Sequence, residues 1–126
     1  MSKDFNTTAA EIIARYQNGE RLFDGVELPD GDSFAGVTLA AATFRNAWLF
    51  GADFTGADLR GAIFENANVK CVDFSSADLR HAQFRSVVLC GSKFSGARIA
   101  ESRVFDASFY GADITSLADF AETVSD

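Results

Sequence analysis

Large apolar residues recur at every fifth position along most of this chain, most of them preceded two places earlier by Ala and the others mainly by Val or Ser. The segment GADFTGADLRGAIFENANVKCVDFSSADLR, residues 51–80, cuts cleanly into fives. Taking the large residue of each five as its centre, the centres run Phe34, Leu39, Phe44, Leu49, Phe54, Leu59, Phe64, Val69, Phe74, Leu79, Phe84, Leu89, Phe94, Ile99, Val104, Phe109 and Ile114, with no polar residue among them. A helix needs apolar spacings of 3 and 4, and a free strand needs 2. Here 2 alternates with 3. Two residues separated by one point the same way in extended chain, and three more must carry the backbone round a corner so that the next pair also points inward. The pattern predicts a coil of short straight sides, stacked at about 4.8 Å per turn.

Corner chemistry agrees. Two places after the centre stand Gly36, Gly51, Gly56, Gly61, Gly91, Gly96 and Gly111, with Asn46 and Asn66 in equivalent slots. Gly and Asn tolerate the positive φ of a type II turn's third residue. Cys71, Ser76, His81, Ser86 and Glu101 in the same slot predict other turn types there. Phe alternates with Leu or Val from 34 to 94, so an even number of sides per coil stacks Phe on Phe and aliphatic on aliphatic.

Repeats such as Ala57-Asp58-Leu59-Arg60-Gly61 and Ala77-Asp78-Leu79-Arg80-His81 resemble the pentapeptide-repeat family. The resemblance spans 34–116 and extends back toward Arg21. It implies an all-β fold, a right-handed quadrilateral β-helix of about 20 residues per coil, and says much less about function.

A solenoid exposes its core at both ends and needs caps. Residues 1–20 are expected to be an N-terminal capping helix, 21–116 the β-helix and 117–126 a C-terminal cap. Thr8-Ala9-Ala10-Glu11 reads as a capping box, with Thr8 accepting from a first-turn amide and Glu11 reaching back. Ala9, Ile12, Ile13 and Tyr16 share one helical face, and Asn18-Gly19 is a stop. Phe23, Val26 and Leu28 begin the repeats. Leu28 to Phe34 is one residue too long, which predicts a bulging corner at Pro29-Asp30-Gly31. Leu117, Phe120 and Val124 predict a short covering helix.

Composition sharpens this picture. The chain has 126 residues, 48% apolar, with thirteen Phe against one Trp and two Tyr, as a repeated core slot requires. No apolar run approaches the roughly 20 residues of a membrane helix, and the N-terminus lacks the pattern of a signal peptide. A soluble cytoplasmic protein is expected. Cys71 and Cys90, nineteen residues apart, match no zinc spacing even with His81, and reduced thiols are expected. Their Cα atoms fall about 6 Å apart if the chain coils as described.

Catalytic chemistry is not visible. His81 falls on an outward corner, and Asp53, Asp58, Asp73, Asp78 and Asp113 all occupy the slot before a centre, where wall hydrogen bonding accounts for them. No catalytic residue, metal site, cofactor or small-molecule substrate is expected. Some proteins of the resembled family copy the outline of duplex DNA and protect DNA gyrase. The net charge of −7 invites that reading, but its distribution opposes it. Between Phe34 and Ile114 eight basic residues meet eight acidic ones, so the excess lies in the ends. DNA binding is disfavoured by the acidic balance.

With four sides, one outer face holds Trp48, Phe50, Val88, Cys90 and Tyr110, and Ile63 and Phe105 fall on the adjoining face. Grouped apolar residues mark an interface, or else a terminal segment folds across them. The expected function is a non-enzymatic scaffold that binds another protein, or a second copy of itself as a homodimer. A gyrase-directed DNA mimic is the alternative.

Overall fold

A computed structural model describes residues 5–109, 112–114 and 116–120. The repeats wind as stacked coils, and the register between coils fixes the number of sides. Four parallel strands stack on one side: β1 (Thr43–Arg45), β2 (Ile63–Glu65), β3 (Gln83–Arg85) and β4 (Arg103–Phe105). Phe44 faces Phe64, Phe64 faces Phe84, and Phe84 faces Val104. The other sides are tied by single parallel bridges with the same offset, such as Asp53 to Asp73, Asp58 to Asp78 and Asn68 to Val88. Twenty residues at five per side make four sides.

Most centres donate their N–H to the following coil, and the residue before a centre donates to the preceding one. Phe54 N–H reaches Asp73 O at 2.8 Å, and Asp53 N–H reaches Asp32 O at 2.9 Å. The side with centre Phe54 is called side 1 here; Leu59, Phe64 and Val69 define sides 2, 3 and 4.

Because the number is even, like stacks on like. Phe34, Phe54, Phe74 and Phe94 form one column, with neighbouring centroids 4.8 to 5.5 Å apart. Phe23, Phe44, Phe64 and Phe84 form the opposite one. The two columns meet edge to face across the axis, as Phe64 and Phe74 do at 5.8 Å and 79°. Both stacked and T-shaped contacts suit the ring quadrupole. Leu39, Leu59 and Leu79 fill side 2, and Leu28, Leu49, Val69 and Leu89 fill side 4, all fully buried. Ala two places before the centre is buried wherever the wall is tightest, as at Ala52, Ala57, Ala62 and Ala77.

The corners differ from expectation in one respect. Cys71, Ser76, His81, Ser86 and Glu101 hold φ between 51° and 63°, the same left-handed conformation as the glycines and asparagines in that slot. The ladder explains why, since the residue at the corner must donate to the next coil, as Ser76 N–H does to Ser95 O at 2.8 Å. The stack imposes the conformation, and the residue bears a cost of about 1–2 kcal/mol. Corners do vary, but by side. After Phe54, Leu59 and Leu79 an N–H three residues on bonds back to the centre's carbonyl. Among the described residues no such bond closes the corners after Phe44, Phe64 and Phe84, which run straight out of the strands.

At the N-terminus, α1 (Ala9–Gln17) lies over the first coil with Ala9 and Ile12 buried. Thr8 accepts from Glu11 N–H, but Glu11 does not close the box: its carboxylate accepts from the Thr7 hydroxyl at 2.8 Å. A carboxylate held by a nearby hydroxyl is turned away from the cap amide. Gly19 N–H bonds to Tyr16 O and Glu20 N–H to Arg15 O, a Schellman ending. The extra residue after Leu28 shifts the offset from 21 at Glu27–Trp48 to 20 at Ser33–Asp53. It also places the Asp32 carboxylate on Ala9 N–H at 2.8 Å, joining the coil to the helix N-terminus.

At the other end Ser108 still pairs with Val88, but β5 (Ala107–Phe109) then pairs antiparallel with β6 (Ala112–Ile114). The covering helix is a 3-10 turn over Leu117–Phe120, with Leu117 in the core. Val124 lies outside the described residues.

Candidate functional site: the outer faces of the coil

Since the buried centres point inward, the residues on either side of each form two outward columns per side, and surface chemistry is read down those columns. On side 4 the columns are Glu27, Trp48, Asn68, Val88, Ser108 and, beside it, Phe50, Lys70, Cys90. Trp48 and Phe50 lie together, with rings stacked at 6.3 Å and 26°, both half-buried. Val88 and Cys90 lie two coils on, about 10 Å away, and Asn68 and Lys70 stand between the two pairs. Side 4 therefore carries two apolar clusters rather than one stripe. Tyr110 lies outside the described residues.

Ile63 is half-buried on side 3, between Thr43 and Gln83 in register. Phe105 ends β4 and is 44% exposed, with the Arg85 guanidinium 5.2 Å from its ring centroid. Neither joins Trp48 and Phe50. Leu22, not singled out from the sequence, is the most exposed large apolar side chain described, at 64%, and heads the Thr43–Ile63 column. The one-residue insertion after Leu28 hides that relation from a strict reading in twenties.

Side 3 also carries a column that the sequence analysis missed: Asp24, Arg45, Glu65, Arg85. Arg45 stands 3.9 Å from Asp24 and 3.5 Å from Glu65, and Arg85 pairs in register with Glu65. Signs alternate coil by coil. Reading every twentieth residue from Arg45 would have found it.

The aspartates before the centres do what wall hydrogen bonding requires. Asp53 accepts from Thr55 N–H at 2.8 Å and Asp73 from Ser75 N–H at 2.9 Å. Asp58 takes both a backbone bond and a two-pronged guanidinium contact from Arg60, and Asp78 takes the same from Arg80. The hydrogen bonds from Arg60 and Arg80 hold these two carboxyls below the usual carboxylate range, and the Thr55 hydroxyl and amide do so for Asp53. Arg98 and Arg60 also stand within about 4.0 Å of Asp78.

His81 sits at an outward corner beside Gln83, Glu101 and Arg103, around an open polar depression of about 250 Å³. No group of three His, Cys, Asp or Glu side chains is placed to hold a metal among the described residues. No described helix is long and apolar enough to cross a membrane.

Four five-residue sides per coil, parallel pairing throughout the stack and like-on-like columns within define a solenoid of the right-handed quadrilateral β-helix class. The chain belongs to the pentapeptide-repeat family: the family's sequence profile, described as pentapeptide repeats, matches in eight copies over residues 38–70 and 67–103. Among solved structures it is similar to a pentapeptide repeat protein of the Arabidopsis thaliana thylakoid lumen, with 28% identity over 82% of this chain and 75% of that one, at a TM-score of 0.68. It is also similar to HetL of the cyanobacterium Nostoc, involved in heterocyst differentiation regulation, with 30% identity over 85% of this chain and a TM-score of 0.70. This chain spans 47% of HetL. The plasmid-mediated fluoroquinolone resistance protein QnrB1 shares the fold at 14% identity and a TM-score of 0.53, over 72% of this chain and 62% of that one. No curated protein matches significantly.

Proposed function

We propose that this protein is a non-enzymatic scaffold that docks a protein partner, or a second copy of itself, on side 4 at Trp48 and Phe50. The observation that carries this is the ring pair itself. A rigid backbone presents two stacked aromatic side chains on an outer face, where most neighbouring outward slots are small or charged. Trp anchors of this kind carry much of the energy in protein interfaces. We take the cytoplasm as its compartment, where the reducing milieu would hold both cysteines as thiols; fractionation checks this.

The gyrase-directed reading needs a sustained negative field along the rod. The alternating Asp24–Arg45–Glu65–Arg85 column and the Asp–Arg pairs of side 2 oppose it. The likeness to QnrB1 is one of fold.

The test compares wild type with Trp48→Ala and Phe50→Ala, each checked by circular dichroism for an intact coil. Light scattering reads self-association, and quantitative capture from host extract reads partner binding. Either substitution should weaken the association by roughly thirtyfold, the equivalent of about 2 kcal/mol. Unchanged association in both variants would move the interface elsewhere.

A further inference from the structure

Apart from the Trp48–Phe50 pair, one pair of reactive side chains is brought together by the winding of the coil. Cys71 occupies the corner that leaves side 4, in a column whose other described members, Gly31, Gly51 and Gly91, are glycines. Cys90 is the last residue of side 4 one coil further on. Cys71 N–H donates to Cys90 O at 2.8 Å. That bond bounds the distance between the two residues. Adding the N–Cα bond of Cys71 and the span from the carbonyl oxygen of Cys90 back to its Cα leaves the Cα atoms at most about 6.7 Å apart. Disulfides span about 4.4–6.8 Å between Cα atoms.

The sulfur is also turned the right way along the stack. Cys71 Sγ lies 3.0 Å from the position that a Cβ would take on Gly91, the residue next to Cys90. Any side chain at 91 would displace that sulfur, and glycine leaves its place open. Cys71 is exposed and Cys90 half-buried, so a reagent in solution meets Cys71 first.

We propose that Cys71 and Cys90 are an oxidation site, closed to an intramolecular disulfide by exchange with a small disulfide such as oxidised glutathione. The Cys71 thiolate attacks one sulfur of oxidised glutathione, forming a mixed disulfide and releasing one glutathione thiol. The Cys90 thiolate then attacks the Cys71 sulfur, the protein disulfide forms, and the second glutathione leaves as a thiol. Two electrons pass from the protein sulfurs to the glutathione disulfide, and the two thiol protons end on the two glutathiones. The product ties one corner to the coil beneath it. In a reducing compartment the same exchange runs backward and both thiols persist. The proposal is independent of the docking surface.

The test incubates wild-type protein with oxidised glutathione, blocks remaining thiols by alkylation and measures the intact mass without reductant. The expected product is monomeric, lighter by two hydrogens, with neither alkyl group nor glutathione attached, and it yields a peptide linking residues 71 and 90. It should exceed the doubly glutathionylated form by roughly tenfold or more, because the second thiol acts at an effective concentration in the millimolar range or above. Cys71→Ser and Cys90→Ser should each stop at one mixed disulfide. Two glutathiones, two alkyl groups or a covalent dimer on the wild-type protein would overturn the proposal, whatever the variants do.

Discussion

Phe74 sits fully buried between Phe54 and Phe94, at 5.5 and 5.2 Å, with the edges of Phe64 and Phe84 at 5.8 and 5.6 Å. Truncating it removes four ring contacts at once from a wall held by backbone ladders above and below, which leaves little freedom to collapse. Phe74→Ala should therefore cost about 3–5 kcal/mol of stability in urea unfolding, and a cost below about 1 kcal/mol would contradict this core. The centres from Phe34 to Phe94 were legible because a period of five forces each of them inward. The corners were legible only where Gly or Asn stood. At Ser76 nothing in the residue announces φ 60°; the conformation comes from the hydrogen bond to the next coil. Replacing such a residue by glycine relieves about 1–2 kcal/mol of left-handed strain and costs about 0.5–1 in chain entropy. Ser76→Gly should thus stabilise the protein by about 0.5–1 kcal/mol, and a loss of that size would show that the corner is not strained.

At the scale of a side, the charges of side 2 are arranged around Asp58 and Asp78. Their folded acidities lie below the unfolded value of about 4, chiefly through the Arg60 and Arg80 hydrogen bonds. Ionised carboxylates held this way contribute stability that is fully present above that pH and lost as pH falls through the folded values. Unfolding free energy should accordingly be insensitive to these groups between pH 5 and 8, on the order of the usual plateau, and fall below about pH 4. Asp78→Asn should flatten that acid limb, and an unchanged limb would assign it to other groups. The sides themselves were readable from the sequence, as was α1 from its cap and apolar face. The alternating column of side 3 was within reach at Arg45, Glu65 and Arg85, twenty residues apart, and only Asp24, which precedes the insertion at 29–31, was hidden. The hairpin of β5 and β6 was not readable: Ala107-Ser108-Phe109 and Ala112-Asp113-Ile114 keep the alternation of a coil side, and alternation fits a hairpin strand equally well.

As a whole molecule the protein is a short stack whose coils are neutral from Phe34 to Ile114, with its acidic excess in the first coil and beyond the two ends of the repeats. The stack rises about 4.8 Å per coil, so four to five coils reach roughly 20–25 Å, about the length of six or seven base pairs. Of the seven apolar residues expected to form one surface, the fold unites Trp48 with Phe50 and Val88 with Cys90, and separates Ile63 and Phe105. Assigning residues to sides needed only the period of five. Knowing which neighbours interrupt a side needed the coil-to-coil register, where Asn68 and Lys70 fall between the two pairs. Association through Trp48 and Phe50 rests on desolvated rings and should depend weakly on salt, whereas a duplex mimic should weaken steeply as salt rises. The most direct measurement is a gyrase supercoiling assay with purified protein, with and without a quinolone, over a range of salt. Neutral coils predict no inhibition and no relief of quinolone poisoning at any salt. Inhibition at stoichiometric protein that fades with added salt would contradict the account.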